Sequence, residues 1–326
     1  YTAGRPEAGG GPAPDIAKAW DIRPFHATID KVDPHSPRTG DQCVQAYNLR
    51  PCLTRDPDNG VPLTAPPPGY DREHYLHYAR KGLALHEPER CINHKSTCNS
   101  PILPGECWGY PLGDWATRKK IDQHHRRFAL GLMWFLQNDD SVAPDRQEKF
   151  RGEMRCRDEW PDNDHLPYEM YVREGLRIVG RHQLSEHDLM PMPHNDTPRS
   201  FADSIAFTDW FMDSHSCDHD FTYGDAVSDD YPWEGKLVLS QQLRPGQIPY
   251  RSLLPRGLDN LVVPVAMGCT HIAHGAIRLE PCWAHLGEVA GFAAAMAHHD
   301  GTPAGQLDGE HVAEHIAGRG VQVTYP

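Results

Sequence analysis

The sequence predicts an α/β chain. Near its C-terminal end, a short apolar run from Leu261 to Ala266 leads into a polar loop with glycines and histidines, and Pro281 then opens a helix rich in small residues. Residues 115–137 keep one helical period without interruption. Shorter stretches around residues 47–50 and 201–215 alternate apolar and polar side chains as strands do.

Each element follows from local signals. Tyr47 to Arg50 reads as a strand, and period two sets Asn48 and Arg50 on one face. If that face lines a cavity, the two orient a polar substrate; if not, it is a solvated strand face. A helix runs from Asp71 to about Leu85, with Tyr75, Ala79 and Leu83 inward. The clearest helix is Trp115 to Gln137: Asp114 caps it, and Ile121, Phe128, Leu132 and Phe135 line one face. Asn138, Asp139, Asp140 and Pro144 end it. Another helix spans Glu169 to Val179 and stops at Gly180. Strand follows between Phe201 and His215, with Phe201, Ile205, Phe207 and Phe211 as its apolar members. The Pro- and Gly-rich stretches Gly4 to Pro14 and Asp56 to Pro68 read as exposed loops.

The closing segment carries the most information. Leu261, Val262, Val263 and Val265 suit a strand buried on both faces, with Pro264 marking its end or a bulge. Gly268 and Gly275 bracket the loop, where backbone turns sharply or approaches something closely. Pro281 fits the first helical turn. Ala284, Gly287, Gly291 and Ala294 then form a stripe almost without side chains, beside a core face of Leu286, Val289, Ala293 and Met296. Each glycine costs about 1 kcal/mol of helix propensity, which close packing is expected to offset. The helix start presents free N–H groups and a positive dipole end to an electron-rich group. The plain alternative is a buried helix of an unrelated α/β core.

In order and spacing, Asn260 to Ala297 resembles the closing segment of FAD-dependent oxidoreductases with a glutathione-reductase-like flavin fold. The likeness extends upstream, in family order, through Ile248 to Asn260, Met212 to Ser216, Tyr171 to Gly180, Gly131 to Asp139, Gly109 to Ile121 and Val44 to Asp56. No single block decides; their collinearity does. The resemblance implies an α+β substrate domain followed by the strand-loop-helix part of a Rossmann-like FAD domain. The implied organisation is a loop-rich segment at 1–40, a substrate or cap domain at 41–250, the closing FAD-domain segment at 251–300 and a tail at 301–326. It implies hydride transfer from a polar organic substrate to FAD. Gly268, Gly275, Arg278, Glu280, Pro281, Trp283 and Gly287 are the implied cofactor contacts.

One departure stands out. The family opens with a strand, a GxGxxG turn and a helix for the ADP half of FAD, and this chain shows none. Its only glycine cluster, Gly9 to Gly11, has no strand before it. The expectation is a fragment, a processed chain or one half of a split enzyme, with a separate chain carrying the N-terminal FAD-binding half.

Composition narrows the partners. With 32 Lys and Arg against 45 Asp and Glu, the net charge of -13 argues against nucleic acid and anionic membrane surfaces. No apolar run approaches the ~20 residues of a membrane helix. Nine scattered cysteines, an odd number, point to reduced thiols and a cytoplasmic setting.

Flavin chemistry needs a base for the substrate proton and a positive group for the reduced ring. His271 and His274 are candidates for the base. Arg278, with its planar fork, is the candidate for the flavin edge or a substrate anion. Alternatively the histidines cap a long loop and Arg278 pairs with Glu280. Asp213 and His215, two residues apart on a strand, form a further candidate pair, in which Asp fixes the imidazole tautomer. Arg173 and Glu174 read equally well as an ordinary helix ion pair. Cys91, His94, Cys98 and Cys107, or His215, Cys217 and His219, lack the paired spacing of zinc sites, so no metal is expected. The rival to a flavoenzyme is a non-catalytic remnant or a binding subunit of a flavoenzyme partner.

Overall fold

In a computed structural model, the protein is described at residues 43–79, 89–90, 93, 95–97, 101–190, 198–217, 237–239 and 245–325. Its strands and helices are those of the expected α/β class. The backbone divides into two compact units. Among the described residues, one comprises those of 46–173 and the other those of 43–45, 174–217 and 237–325. The segment 41–250 thus contributes to both, while 251–300 and 301–326 lie in the second. The loop-rich segment 1–40 lies outside the described residues.

The unit of Ala46–Arg173 is built on a five-stranded antiparallel sheet. Its strands are β1 (Cys52–Thr54), β2 (Gly60–Val61), β3 (Glu89–Arg90), β4 (Lys95–Thr97) and β5 (Met154–Cys156), in the order β2-β5-β1-β4-β3. A 3-10 helix at Arg72–Ala79 takes the place of the α-helix expected from Asp71; the rest of that helix lies outside the described residues. Helix α1 (Trp115–Asn138) forms as its period and cap require: Asp114 accepts from Thr117 N at 2.8 Å. Phe128, Leu132, Phe135 and Leu136 are buried, and Tyr75 stacks on Phe128 at 5.4 Å and Phe135 at 5.9 Å. Pro144 ends nothing; it opens α2 (Pro144–Phe150), for which its fixed φ is suited. Asn48 lies in no regular strand. It makes isolated bridges to Ile102 and Tyr171, and it is fully buried rather than solvated.

The second unit holds α3 (Glu186–Leu189), β6 (Ser204–Thr208), β7 (Met212–Ser214), β8 (Leu237–Leu239) and β9 (Gly246–Pro249). The ladders β6-β9 and β7-β8 are antiparallel. Three helices follow: α4 (His271–Ile277), α5 (Glu280–Asp300) and α6 (Gly309–Gly318). Leu184, Ile205, Met212, Ile248, Leu253, Ile272, Leu286, Val289 and Val312 share one core. Both α5 and α6 pack on β6, so the tail residues Val312, Ala313 and Ile316 belong to that core.

Three expectations are corrected. Leu261 to Ala266 is irregular, not a buried strand: Leu261 is 42% and Val265 46% exposed. Pro264 removes a ladder donor, and only separate backbone bonds such as Val263 N to Leu253 O and Ile178 N to Ala266 O hold the segment. Glu169 to Val179 is irregular, not helical. Tyr171 N donates to Asn48 O and Ile178 N to Ala266 O, so tertiary pairing overrides a middling helix propensity weakened by Gly175 and the β-branched Val172, Ile178 and Val179. The loop after Cys269 contains a helix, α4, because the Thr270 side chain caps it by accepting from Ala273 N at 3.2 Å. Among the described residues, no helix is long and apolar enough to cross a membrane.

Candidate functional site

A connected polar cluster forms where α4 packs beside β7. The packing is tight for a stated reason: a Cβ on Gly275 would lie 2.8 Å from Asp213 N and 2.9 Å from Asp213 O. Without a side chain there, the helix backbone rests on the strand and brings His271 and Arg278 to Asp213 and Ser214.

Glu174 is the cluster's buried centre. Its Oε1 accepts from Arg177 Nη1 at 2.7 Å and meets His271 Nδ1 at 2.8 Å, while Oε2 accepts from Gln45 N at 3.0 Å. Burial alone would raise its carboxyl; charge and hydrogen bonding from His271, then the Arg177 and His274 charges, outweigh that and bring it down to about 2. The other His271 nitrogen, Nε2, lies 2.7 Å from Ser214 Oγ. Both ring nitrogens of His271 are thus engaged, Nδ1 by the Glu174 carboxylate and Nε2 by the Ser214 hydroxyl. Glu174, His271 and Ser214 thus form a continuous sealed relay.

Asp213 and His215, on alternate positions around Ser214, form the more open edge. His215 Nε2 lies 3.3 Å from Asp213 Oδ2, and Arg278 Nη2 donates to the same oxygen at 3.1 Å. Their side chains keep 11% and 14% exposure, against none for His271 and Glu174. The backbone N–H of His215 donates to Gln45 Oε1 at 3.1 Å. Arg278 therefore pairs with Asp213; Glu280, the partner weighed from sequence, is exposed. His274 lies one turn after His271, beside Cys269 Sγ at 3.9 Å and with its ring 6.3 Å from that of Trp283. Burial pushes the Cys269 thiol up to about 12, so it is no ready nucleophile. Asn48 and Arg50 belong to the other unit, where the Arg50 guanidinium lies 3.6 Å over the Tyr171 ring.

The expected cofactor contacts divide into two groups. Gly268 and Gly275 are close-packed by the chain itself: a Cβ on Gly268 would collide with Gln183 Oε1 and lie 2.8 Å from Gly180 Cα. The remaining contacts surround the start of α5. Pro281 lies in its first turn as expected, with Glu280 and Pro281 exposed. Arg278 Nε and Trp283 Nε1 are buried donors with no partner among the described residues. Among the described residues, the stripe of Ala284, Gly287, Gly291 and Ala294 presses on no sheet; a Cβ on Gly287 or Gly291 would meet none of their atoms within 4 Å. Leu286, Val289 and Ala293 are buried on the core face, as their spacing predicts.

The family described as FAD dependent oxidoreductase matches residues 2–316. The chain belongs to the FAD-dependent oxidoreductases. No curated protein and no solved structure matched it. FAD is the cofactor this family implies, and two orphaned donors at the start of α5 fit an electron-rich ring or phosphate. Gly268 and Gly275 do not fit that role, since protein atoms already fill the space beside them.

Sequence reasoning missed Glu174, Arg177, Ser214 and Gln45 as members of the cluster. From sequence, Arg173 and Glu174 read equally well as part of a motif-like segment or as an ordinary helix ion pair; in the structure the Glu174 carboxylate is met by Arg177, His271 and the Gln45 N–H. The signal that could have found it is a Glu and an Arg three apart in a segment too β-branched to be a helix. Among the described residues, no group of three or more His, Cys, Asp or Glu is arranged to hold a metal. Of the sequence's two candidate metal sets, Cys91, His94, Cys98 and His219 lie outside the described residues.

Proposed function

We propose that this flavoenzyme chain oxidises a hydroxyl-bearing organic substrate, such as a sugar or hydroxylated metabolite, with His215 taking the substrate proton. The observation that carries the reading is Asp213 Oδ2, held by Arg278 at 3.1 Å and facing His215 at 3.3 Å, at the partly open edge of an otherwise sealed cluster. Bound FAD supplies the acceptor for the hydride that leaves the substrate carbon. Arg278 and Trp283 would hold it through their orphaned N–H groups. Converting C–OH to C=O releases a hydride and a proton, and the proton needs a base. Asp213 orients the His215 imidazole and stabilises its charged form, while Arg278 keeps Asp213 ionised. His271 is a positioning residue in this scheme, because both of its ring nitrogens are engaged and it has no exposure. His274, beside Trp283, is the second candidate base. The collinear blocks from Val44 to Ala297 support a glutathione-reductase-like flavin fold as the frame.

The test is anaerobic bleaching of the FAD absorbance of the loaded protein by a panel of sugars and polyols, followed against pH. Reduction by one of them should accelerate through about pH 6 to 7, the range of an imidazole. His215→Gln should lose that limb while FAD binding is kept. A His215→Gln protein with the wild-type pH profile would overturn the assignment, and loss of the limb in His274→Gln would transfer the role there.

A further inference from the structure

Among the described cysteines, one pair stands in register across two strands. The β1-β5 ladder pairs Leu53 with Arg155 and Thr54 with Met154, which sets Cys52 opposite Cys156. Their sulfurs lie 3.5 Å apart, with the Cys156 S–H donating to Cys52 Sγ. Opposed residues of antiparallel strands hold their Cα atoms roughly 4.5–5.5 Å apart, inside the roughly 4.4–6.8 Å that a disulfide spans. Both are free thiols, Cys156 buried and Cys52 half-buried. We propose that Cys52 and Cys156 are a reversible dithiol–disulfide pair, oxidised by low-molecular-weight disulfides, with Cys52 as the attacking sulfur and Cys156 as the resolving one.

Geometry assigns the order, since an external disulfide reaches the half-buried sulfur first. Electrostatics agrees. Burial raises the Cys52 thiol; the hydrogen bond from Cys156 works against the rise, Glu159 adds to it and Lys95 opposes it. Burial, then the bond to Cys52, push Cys156 up to about 12. The thiolate therefore forms on Cys52 before Cys156.

The exchange balances with oxidised glutathione. Cys52 loses its proton to solvent and attacks one glutathione sulfur; a Cys52–glutathione bond forms as the glutathione disulfide breaks, and one glutathione thiolate leaves. Cys156 then loses its proton and attacks Cys52 Sγ, expelling the second glutathione. Two protein thiols are oxidised and one glutathione disulfide is reduced to two thiols. The product ties β5 to β1 inside the order β2-β5-β1-β4-β3, without using the flavin.

The test treats the whole folded protein with oxidised glutathione, quenches in acid, alkylates and maps peptides by mass spectrometry. Wild type should yield a Cys52–Cys156 linked peptide that dithiothreitol reverses, and the linked form should melt at a higher temperature. Cys156→Ser should accumulate glutathione on Cys52, and Cys52→Ser should give neither product at either position. If Cys156→Ser does not fold, a wild-type time course decides: glutathione must appear on Cys52 before the link forms. A link from Cys52 to any other cysteine, first modification at Cys156, or both thiols still alkylated when a control dithiol peptide is fully oxidised would overturn the proposal.

Discussion

His271 Nδ1 lies 2.8 Å from Glu174 Oε1, and neither side chain exposes any surface. Arg177 completes the group at 2.7 Å, so a carboxylate, an imidazole and a guanidinium share one sealed space. Breaking such a buried set by removing one member leaves an uncompensated charge, at a cost of about 3–5 kcal/mol.

Glu174→Gln should therefore lose about 3–5 kcal/mol of unfolding free energy in urea at neutral pH. The folded carboxyl lies at about 2 against an ordinary 4.5, so its contribution is present above 4.5 and disappears as pH falls toward 2. Wild type and variant should converge over that window. An acid limb of equal slope in both proteins would show that Glu174 does not carry this linkage.

His125 gives a second pH signature, in the other unit. It is 1% exposed on α1, its Nδ1 bonds Ile121 O at 2.9 Å, and its Nε2 has no partner among the described residues. Burial, partly offset by that backbone bond, lowers it from 6.5 to about 4. The unfolded chain binds the proton first, so stability falls as pH drops from 6.5 toward 4, by roughly 3 kcal/mol across the whole window. Replacement by Leu should flatten this stretch of the stability–pH curve while keeping the fold. Retention of the wild-type slope in His125→Leu would assign it to other groups.

Two glycines make opposite predictions. Gly275→Ala puts a methyl group against Asp213 backbone and should cost about 1–3 kcal/mol, with β7 displaced. Gly287→Ala meets no atom of the described residues within 4 Å and should stabilise α5 by about 1 kcal/mol in the absence of FAD. If the flavin lies on that face, the same methyl should weaken FAD binding. Thermal melts with and without FAD separate the two effects; a stabilising Gly275→Ala would refute the close contact.

Arg278→Ala should lower FAD affinity at least about tenfold, roughly 1.4 kcal/mol, because it removes both the orphaned Nε and the tether on Asp213. Lys should restore little, because its ammonium lacks the planar guanidinium fork. Flavin fluorescence titrations read this directly. Wild-type affinity in both variants would return Arg278 to a purely structural role as the partner of Asp213.

The helices that sequence reading recovered are those whose signals are local. Helix α1 carries its own cap at Asp114 and its own period, and α5 carries Pro281 and the Leu286, Val289, Ala293 face. The helix expected from Glu169 to Val179 failed because its backbone partners, such as Asn48 and Ala266, lie far along the chain. Leu261 to Ala266 failed because an apolar, β-branched run reports burial preference, not the availability of a ladder partner. The site divided in the same way. Asp213 and His215 were legible from spacing two, but Glu174 meets His271 across 97 residues and Ser214 meets it across 57, and no local pattern encodes either meeting.

The contact between Gly275 and the Asp213 backbone also sets a rule for how this sequence can diversify. A homologue with any side chain at the position of Gly275 must carry its β7 further from α4, and the separation would redirect the residues equivalent to Asp213 and His215 together. One missing methyl group thus links helix position to the aim of two polar side chains, and that pair should vary in concert with a single small residue.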